Sequence, residues 1–390
     1  NDTVSFITPI YNTGKASAAA KVVTGSDGAD WTDILPGQQI SFGDDDVTDP
    51  DATWYTIDVV NSSTGLTLTE DVGVISSGTY TIRRTFTASF LDTWDTNIFV
   101  NAAQDNKDWW IATNGIDNII KWDGETDHVE DAGLPFKAFT LSRYSNMMVY
   151  GNLTQGGARL PTDIINSNVG DPFDVVSGLS EQFKVHGGTD GIVNMAPLGD
   201  NLAIYSLGTV TIAQFVGDPL IFTFRQAVNG IGAIAARGVS DFGDFHEFLG
   251  PDSQYSFDGV TLQEANPHVW REILRQQDPA RIIYAYSHFD EENGDLIWSV
   301  PSTADPNSCS EEASPTLAWS EHYLEEVPEG YSSPFSKRYF PFTASGYYQR
   351  KEGLTWDQLT EQWSNLNFRW NDQFFFAAFP FNIVGDVNGY

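Results

Sequence analysis

Trp109-Trp110-Ile111-Ala112-Thr113-Asn114-Gly115 and, a little further on, Asn118-Ile119-Ile120-Lys121-Trp122-Asp123-Gly124 decide the fold. Aromatic and β-branched runs fit a pleated, half-buried surface and favour strands. Asn-Gly and Asp-Gly suit type I′ hairpin turns, whose two central residues both need positive φ. The same grammar returns in Ser253-Gln254-Tyr255-Ser256-Phe257-Asp258-Gly259, and in Asp295-Leu296-Ile297-Trp298-Ser299-Val300 after Glu292-Asn293-Gly294. Residues 204–215 and 220–224 read as two strands around Gly217-Asp218-Pro219. Groups of two and four strands set off by such turns are the coarse signature of a β-propeller. The repeat leaves the number of blades open.

Working back toward the N-terminus, residues 20–84 form a unit of their own. Ala20-Lys21-Val22-Val23-Thr24, Gln39-Ile40-Ser41-Phe42, Trp54-Tyr55-Thr56-Ile57-Asp58-Val59-Val60, Leu66-Thr67-Leu68-Thr69 and Thr79-Tyr80-Thr81-Ile82-Arg83 are five short strands in close succession. So many strands in so short a span predict a small β-barrel. The expected architecture is therefore all-β: a propeller over 1–19 and 85–390, with a small barrel inserted at 20–84. The ending Gly385-Asp386-Val387-Asn388-Gly389-Tyr390 reads as a turn into a further strand, so the propeller is expected to continue past residue 390.

One segment has a helical period. Val269, Trp270, Ile273 and Leu274 share a face, Pro267 opens the run and Asp278-Pro279 closes it, which predicts a short surface helix over 268–277. Trp356, Trp363 and Trp370 recur every seven residues. The Asn, Asp and Ser beside them are poor helix formers, so stacked turns are expected there in place of a coiled coil.

Composition narrows the chemistry. The chain has 390 residues, with 53 acidic and 20 basic side chains and a formal charge of -33. Charged residues are 19% of the total, so the acidity comes from scarce Lys and Arg. Binding DNA by neutralising phosphates needs clustered cations, and no basic run exists. No apolar run is long enough to span a bilayer as a helix, and the first residues do not read as a secretory signal. A single cysteine, Cys309, in a polar loop excludes a disulfide within the chain and reads as an incidental surface thiol.

The candidate sites read as structural. The acidic loop Gly43-Asp44-Asp45-Asp46-Val47-Thr48-Asp49-Pro50-Asp51 offers oxygen ligands for a hard cation. It lacks the EF-hand glycine and closing glutamate, so a solvated hairpin loop is expected. His186-Gly187-Gly188-Thr189-Asp190-Gly191, Gly230-Ile231-Gly232 and Gly243 are glycine-rich but have no Lys-Ser or Lys-Thr behind them, so they read as turns. No Gly-x-Ser-x-Gly nucleophile elbow, zinc motif or arginine cluster appears. Arg225 and Arg237 flank a glycine-rich turn and are expected to make blade-to-blade hydrogen bonds. No catalytic, cofactor-binding or metal-binding residue is assigned, and no enzyme activity is expected.

Several stretches resemble one family. Leu198-Gly199-Asp200-Asn201-Leu202-Ala203-Ile204-Tyr205-Ser206, Gly230-Ile231-Gly232-Ala233 and Phe248-Leu249-Gly250-Pro251-Asp252-Ser253-Gln254-Tyr255-Ser256-Phe257-Asp258-Gly259 follow one another as in tail nozzle and packaged-DNA-stabilisation proteins of short-tailed bacteriophages. The helical stretch and residues 282–289 and 294–300 continue the same order, and residues 151–174 and 319–342 are also similar to that family. The unit at 20–84 resembles small barrels of phage tail and connector proteins. The resemblance covers about residues 110–390 and rests on order and spacing. It implies a structural virion protein of the phage tail, made in the host cytoplasm and assembled as a homo-oligomeric ring, a hexamer. The ring would lie below the portal and its head-to-tail adaptor, with tail fibre or needle proteins as further neighbours. Double-stranded DNA would pass through its lumen without sequence-specific binding, along a wall richer in carboxylates than in Lys and Arg. The alternative is a glycan-binding or glycan-hydrolysing propeller, with Trp356, Trp363 and Trp370 stacking on sugars.

Overall fold

The computed structural model describes residues 10–32, 34, 36, 38–43, 53–83, 92–124, 129–185, 190–290, 293–302, 315, 317–323, 335–338, 342–348 and 381–385. The acidic residues 44–51, His186 to Thr189, Cys309 and the three heptad tryptophans lie outside them. The chain divides into two compact units, 1–183 and 184–390.

The first unit opens with the barrel. Strand Lys15–Ala19 pairs with Val22–Ser26, which pairs with Gly65–Leu68, which pairs with Tyr55–Ser62. Tyr55–Ser62 pairs in turn with Gln39–Phe42, and that strand with Tyr80–Arg83. The sheet curls back on itself because Tyr80–Arg83 continues from Val74–Gly78, and these pair with two successive strands, Ile10–Tyr11 and Lys15–Ala19, with Ile10 opposite Arg83 and Ala19 opposite Val74. The pairing order ends on Ile10–Tyr11 and Val74–Gly78, each with one neighbour, so the sheet curls into a partly open barrel. The expected boundary at residue 20 therefore moves back to residue 10. Residues 10–19 belong to the barrel and not to the propeller, because Ala16 and Ala18 point into its core while Lys15 and Ala19 face out. That short alternation of small residues carries too little hydrophobic signal to announce a strand. Trp31 fills the core, edge-on to Tyr80 at 5.7 Å, and its Nε1 donates to Tyr80 Oη over 2.9 Å. Tyr80 Oη donates onward to Thr13 O over 2.6 Å. A side chain at Gly25 would meet the Trp31 ring, so the glycine makes room for the tryptophan.

Five four-stranded antiparallel sheets follow among the described residues, each with its strands in chain order. They are the blades of a β-propeller. Blade 1 comprises Asp95–Phe99, Trp109–Thr113, Ile120–Trp122 and Glu130–Asp131. Blade 2 comprises Phe136–Tyr144, Met147–Gln155, Ala158–Asn166 and Glu181–Lys184. The first strands of these two blades adjoin in the first unit.

In the second unit, blade 3 comprises Ile192–Leu198, Asn201–Ser206, Thr209–Gly217 and Ile221–Asn229. Blade 4 comprises Val239–Asp241, His246–Leu249, Gln254–Phe257 and Leu262–Ala265. Blade 5 comprises Tyr286–Asp290, Asp295–Val300, Leu317–His322 and Phe335–Arg338. Here too the first strands of successive blades adjoin. A last antiparallel pair joins Ala344–Tyr348 with Phe381–Gly385. The middle strands are buried on both faces, as in Met147 to Leu153 and Leu202 to Ser206, so they read as continuous apolar runs without alternation.

Three sequence expectations change in detail. Residues 204–215 are not one strand: Leu207-Gly208 turns the chain between Asn201–Ser206 and Thr209–Gly217. The Asn-Gly and Asp-Gly turns are not two-residue type I′ turns. Phe257 pairs with Leu262, which leaves a four-residue loop. Gly259 takes positive φ (91°) there, while Asp258 stays in ordinary space and accepts the N–H groups of Val260 and Thr261. Asn114 does the same for Ile116 and Asp117. The Asx side chain replaces the backbone bond that a tighter turn would make. The helix runs Pro267–Gln276, a residue earlier than expected, with Trp270 and Ile273 buried in the core of blade 5 beside Trp298.

Candidate functional site

Blade 5 carries a cavity of about 520 Å³. Asp290, Asn293, Asp295, His322, Arg338 and Phe342 are among its walls. Strand pairing builds it: Asp290 and His322 both lie opposite Asp295 on the strands to either side. Asp295 is the buried centre. His322 Nδ1 contacts its Oδ1, and Arg338 Nη2 donates to its Oδ2 over 2.7 Å. His322 Nε2 lies 3.0 Å from Ser336 Oγ. Asp290 accepts the backbone and side-chain N–H groups of Asn293, which shapes the rim.

Serine, imidazole and carboxylate thus stand in the order of a serine-hydrolase relay. Two features set this arrangement apart from a poised nucleophile. Arg338 shares the carboxylate with the imidazole, which weakens the negative field that would stabilise an imidazolium. Ser336 sits on the last strand of its blade, on an ordinary strand segment with no sharp turn to expose its hydroxyl. The sequence reading did not pick out these residues, because three strands far apart in the chain bring them together and no local spacing signals it.

A second polar cluster lies between blades 4 and 5. Glu247 and Glu321 are 4% and 1% exposed. Gln254 Nε2 donates to Glu321 Oε2 over 2.9 Å and also to Glu247 Oε2. Asn266 Nδ2 donates to Glu321 Oε1. Burial, and then the charge of Glu321, pushes the Glu247 carboxyl up to about 8. Tyr323 stands against both carboxylates, and its own burial together with their charges raises its phenol far above the ordinary tyrosine range.

The arginines behave as linkers. Arg225 Nη2 on blade 3 donates to Gly259 O on blade 4 over 2.8 Å. Arg237 makes its link to blade 5 through its backbone carbonyl, which accepts Ser287 N over 2.9 Å. His246 joins blades 3 and 4. Its Nε2 lies 2.7 Å from Pro197 O, which can only accept, so Nδ1 is left to meet Tyr205 Oη at 2.8 Å. Gly230-Ile231-Gly232 and Gly243 form turns, as read from the sequence: Gly230 and Gly243 have φ of 90° and 86°. Among the described residues no group of three or more His, Cys, Asp or Glu is placed to hold a metal ion. No helix among them is long and apolar enough to cross a membrane.

No family model matches this chain. No curated protein matches it either. Solved structures do resemble it at low identity. The computationally designed Ika8 protein is 10% identical, with a TM-score of 0.37, over 87% of this chain and 92% of its own. A provisionally assigned 6-phosphogluconolactonase from Bacteroides uniformis is 11% identical, with a TM-score of 0.38, over 77% of this chain and 82% of its own. The extracellular domain of BT4673, a one-component system of B. thetaiotaomicron, is 11% identical with a TM-score of 0.31. That match covers 76% of this chain and 38% of the other.

Proposed function

We propose that this chain is a non-enzymatic structural subunit of a tailed-virus particle. It forms a closed homo-oligomeric ring, a hexamer, as part of the DNA channel between the head-to-tail adaptor and the tail fibre or needle proteins. The observation that carries this reading is one of order. The segments that resemble phage nozzle proteins fall on consecutive elements of the second unit. Residues 198–206 form the first turn and second strand of blade 3, and 230–233 lie in the link to blade 4. Residues 248–259 form the central hairpin of blade 4, followed by the helix and the first two strands of blade 5.

Class averages of the purified protein, and of particles carrying it, test the reading. A closed ring in both is expected. A monomer at every concentration, absent from particles, overturns it. The second reading, a hydrolase, draws on the Ser336–His322–Asp295 relay. Hydrolysis of activated esters that disappears in Ser336→Ala would favour it. Glycoside hydrolysis finds less support, because it needs two carboxylates flanking the sugar: Glu247 and Glu321 are sealed between blades, and in the cavity Asp295 is buried against His322 and Arg338 while Asp290 is engaged by Asn293.

A further inference from the structure

Residues 342–347, leading into and through the first strand of the last antiparallel pair, are fastened to blade 5 at three points. Phe342 N donates to Ser299 Oγ over 2.9 Å, Ser345 N to Tyr286 Oη over 3.1 Å, and Tyr347 Oη to Phe289 O. Elements tied so closely ordinarily interdigitate and leave few voids larger than a water molecule. Here the same region holds a cleft of about 520 Å³, inside the size range of small-molecule sites.

Its walls carry opposite charges. Asp290 stands directly across the strand pair from Asp295, so their side chains share one face. Asp295 is occupied, since His322 Nδ1 and Arg338 Nη2 take its two oxygens. The second of these contacts holds the guanidinium in place. Arg338 reaches Asp295, and Ser320 Oγ at 3.5 Å, through Nη2, and its side chain is 45% exposed. A guanidinium held at one corner by a buried carboxylate presents its other N–H donors in a fixed orientation, suited to a second carboxylate. Asp290 accepts two N–H groups from Asn293, and a carboxylate has lone pairs for more. Ile297, Phe342 and Val384 supply an apolar wall.

These groups select the ligand. A dianion such as phosphate gains from Arg338 and is repelled by Asp290. A cation with no acceptor of its own meets the reverse. An uncharged ligand desolvates both groups and offers neither an opposite charge. A zwitterion satisfies both and leaves the charge of the cleft unchanged. We infer that the cleft binds a free α-amino acid with a large apolar side chain, its carboxylate on Arg338, its ammonium on Asp290 and its side chain against Ile297, Phe342 and Val384. Such binding needs neither a ring nor hydrolysis, so it stands apart from both functional readings.

Calorimetric titration of the full chain with phenylalanine tests this, alongside N-acetylphenylalanine, phenylalaninamide and inorganic phosphate. Phenylalanine should saturate one site, and each blocked analogue should bind about tenfold more weakly or worse, the loss of one charge-assisted hydrogen bond. Phosphate should bind no better than the analogues. Arg338→Gln should weaken phenylalanine about tenfold by the same arithmetic and leave phenylalaninamide, which lacks the carboxylate, unchanged. Asp290→Asn should weaken phenylalanine and leave N-acetylphenylalanine, which lacks the ammonium, unchanged. The analogues on the unaltered protein decide the question if either variant does not fold. A phenylalanine dissociation constant weaker than about 1 mM overturns the proposal. Equal affinities for phenylalanine and its blocked analogues overturn it too. So does phosphate binding tighter than phenylalanine, which would make the cleft an anion site. Unchanged phenylalanine affinity in both folded variants has the same force, since the amino acid then sits elsewhere, as in the groove beside Arg225 on blade 3.

Discussion

At the scale of single residues, the polar side chains do more to fix loops than to present chemistry. Asp174 is the plainest case. Its Oδ1 accepts the N–H groups of Val176 and Ser177 over 3.1 and 2.9 Å, and its Oδ2 the Ser177 hydroxyl. The Ser177 hydroxyl first, then the two backbone donors, lower its ionisation from 3.8 to about 2. A depressed carboxyl contributes stability in full above its unfolded value and loses it as pH falls through the folded one. Asp174→Asn should therefore melt below the wild type at pH 6. The gap should narrow below pH 3.8 and close near pH 2. A gap that persists unchanged at pH 2 would show that the charge is not what the turn uses. The sequence reading took residues 151–174 only for their family resemblance, although side-chain capping of this kind follows from residue type alone. The clusters around Asp295 and Glu321 were hidden from the same reading. Their members lie 27 and 43 residues apart in one case and up to 74 in the other, and acids are too common here for any pair to stand out.

At the scale of elements, the strands were legible where one face is buried and turns are strong, and less so elsewhere. Trp109–Thr113 and Gln254–Phe257 emerged directly from their aromatic and β-branched runs. Residues 204–215 merged into one strand because Ile204 to Ser206 and Thr209 to Ala213 are both continuously buried and Leu207-Gly208 is weak punctuation. The helix was visible because its period differs from everything around it. Its Trp270 and Ile273 are 1% and 0% exposed in the core of blade 5, and the Trp270 ring lies 6.0 Å from that of Trp298. Trp270→Ala should destabilise the fold by about 3–5 kcal/mol, the usual cost of emptying a buried aromatic site. Trp270→Phe should cost clearly less. It keeps most of the packing and removes an indole N–H that has no acceptor among the described residues. Denaturant titration of both variants checks the order, and equal losses would mean that packing is not what the helix contributes.

At the scale of the whole molecule, the barrel and the blades are separate cores on one chain. Trp31, Tyr80 and their neighbours form one, and Phe99, Tyr150 and theirs another. Removing residues 1–91 should leave a remainder that melts cooperatively and stays monodisperse on a sizing column. Removing only 20–84, the boundary that strand patterning predicted, strands Lys15–Ala19 without partners and should produce aggregation. The second global property is charge. With 53 acids against 20 bases, the chain carries -33, and like charge repels a duplex at every orientation that lacks a local basic patch. Such repulsion reaches only about 8–10 Å at physiological salt, so it acts on DNA that passes close to a wall and not on DNA at a distance. A channel subunit benefits from that range, because phosphates near a cationic wall would be held by counterion release and slowed. The protein, free or assembled, should therefore leave a short DNA duplex unshifted in a gel even at about 50 mM salt and roughly 10 µM protein, conditions in which ordinary non-specific binders are retained. Retention that weakens steeply as salt is raised would instead reveal a concentrated basic surface, and the charge argument for an unobstructed channel would fail with it.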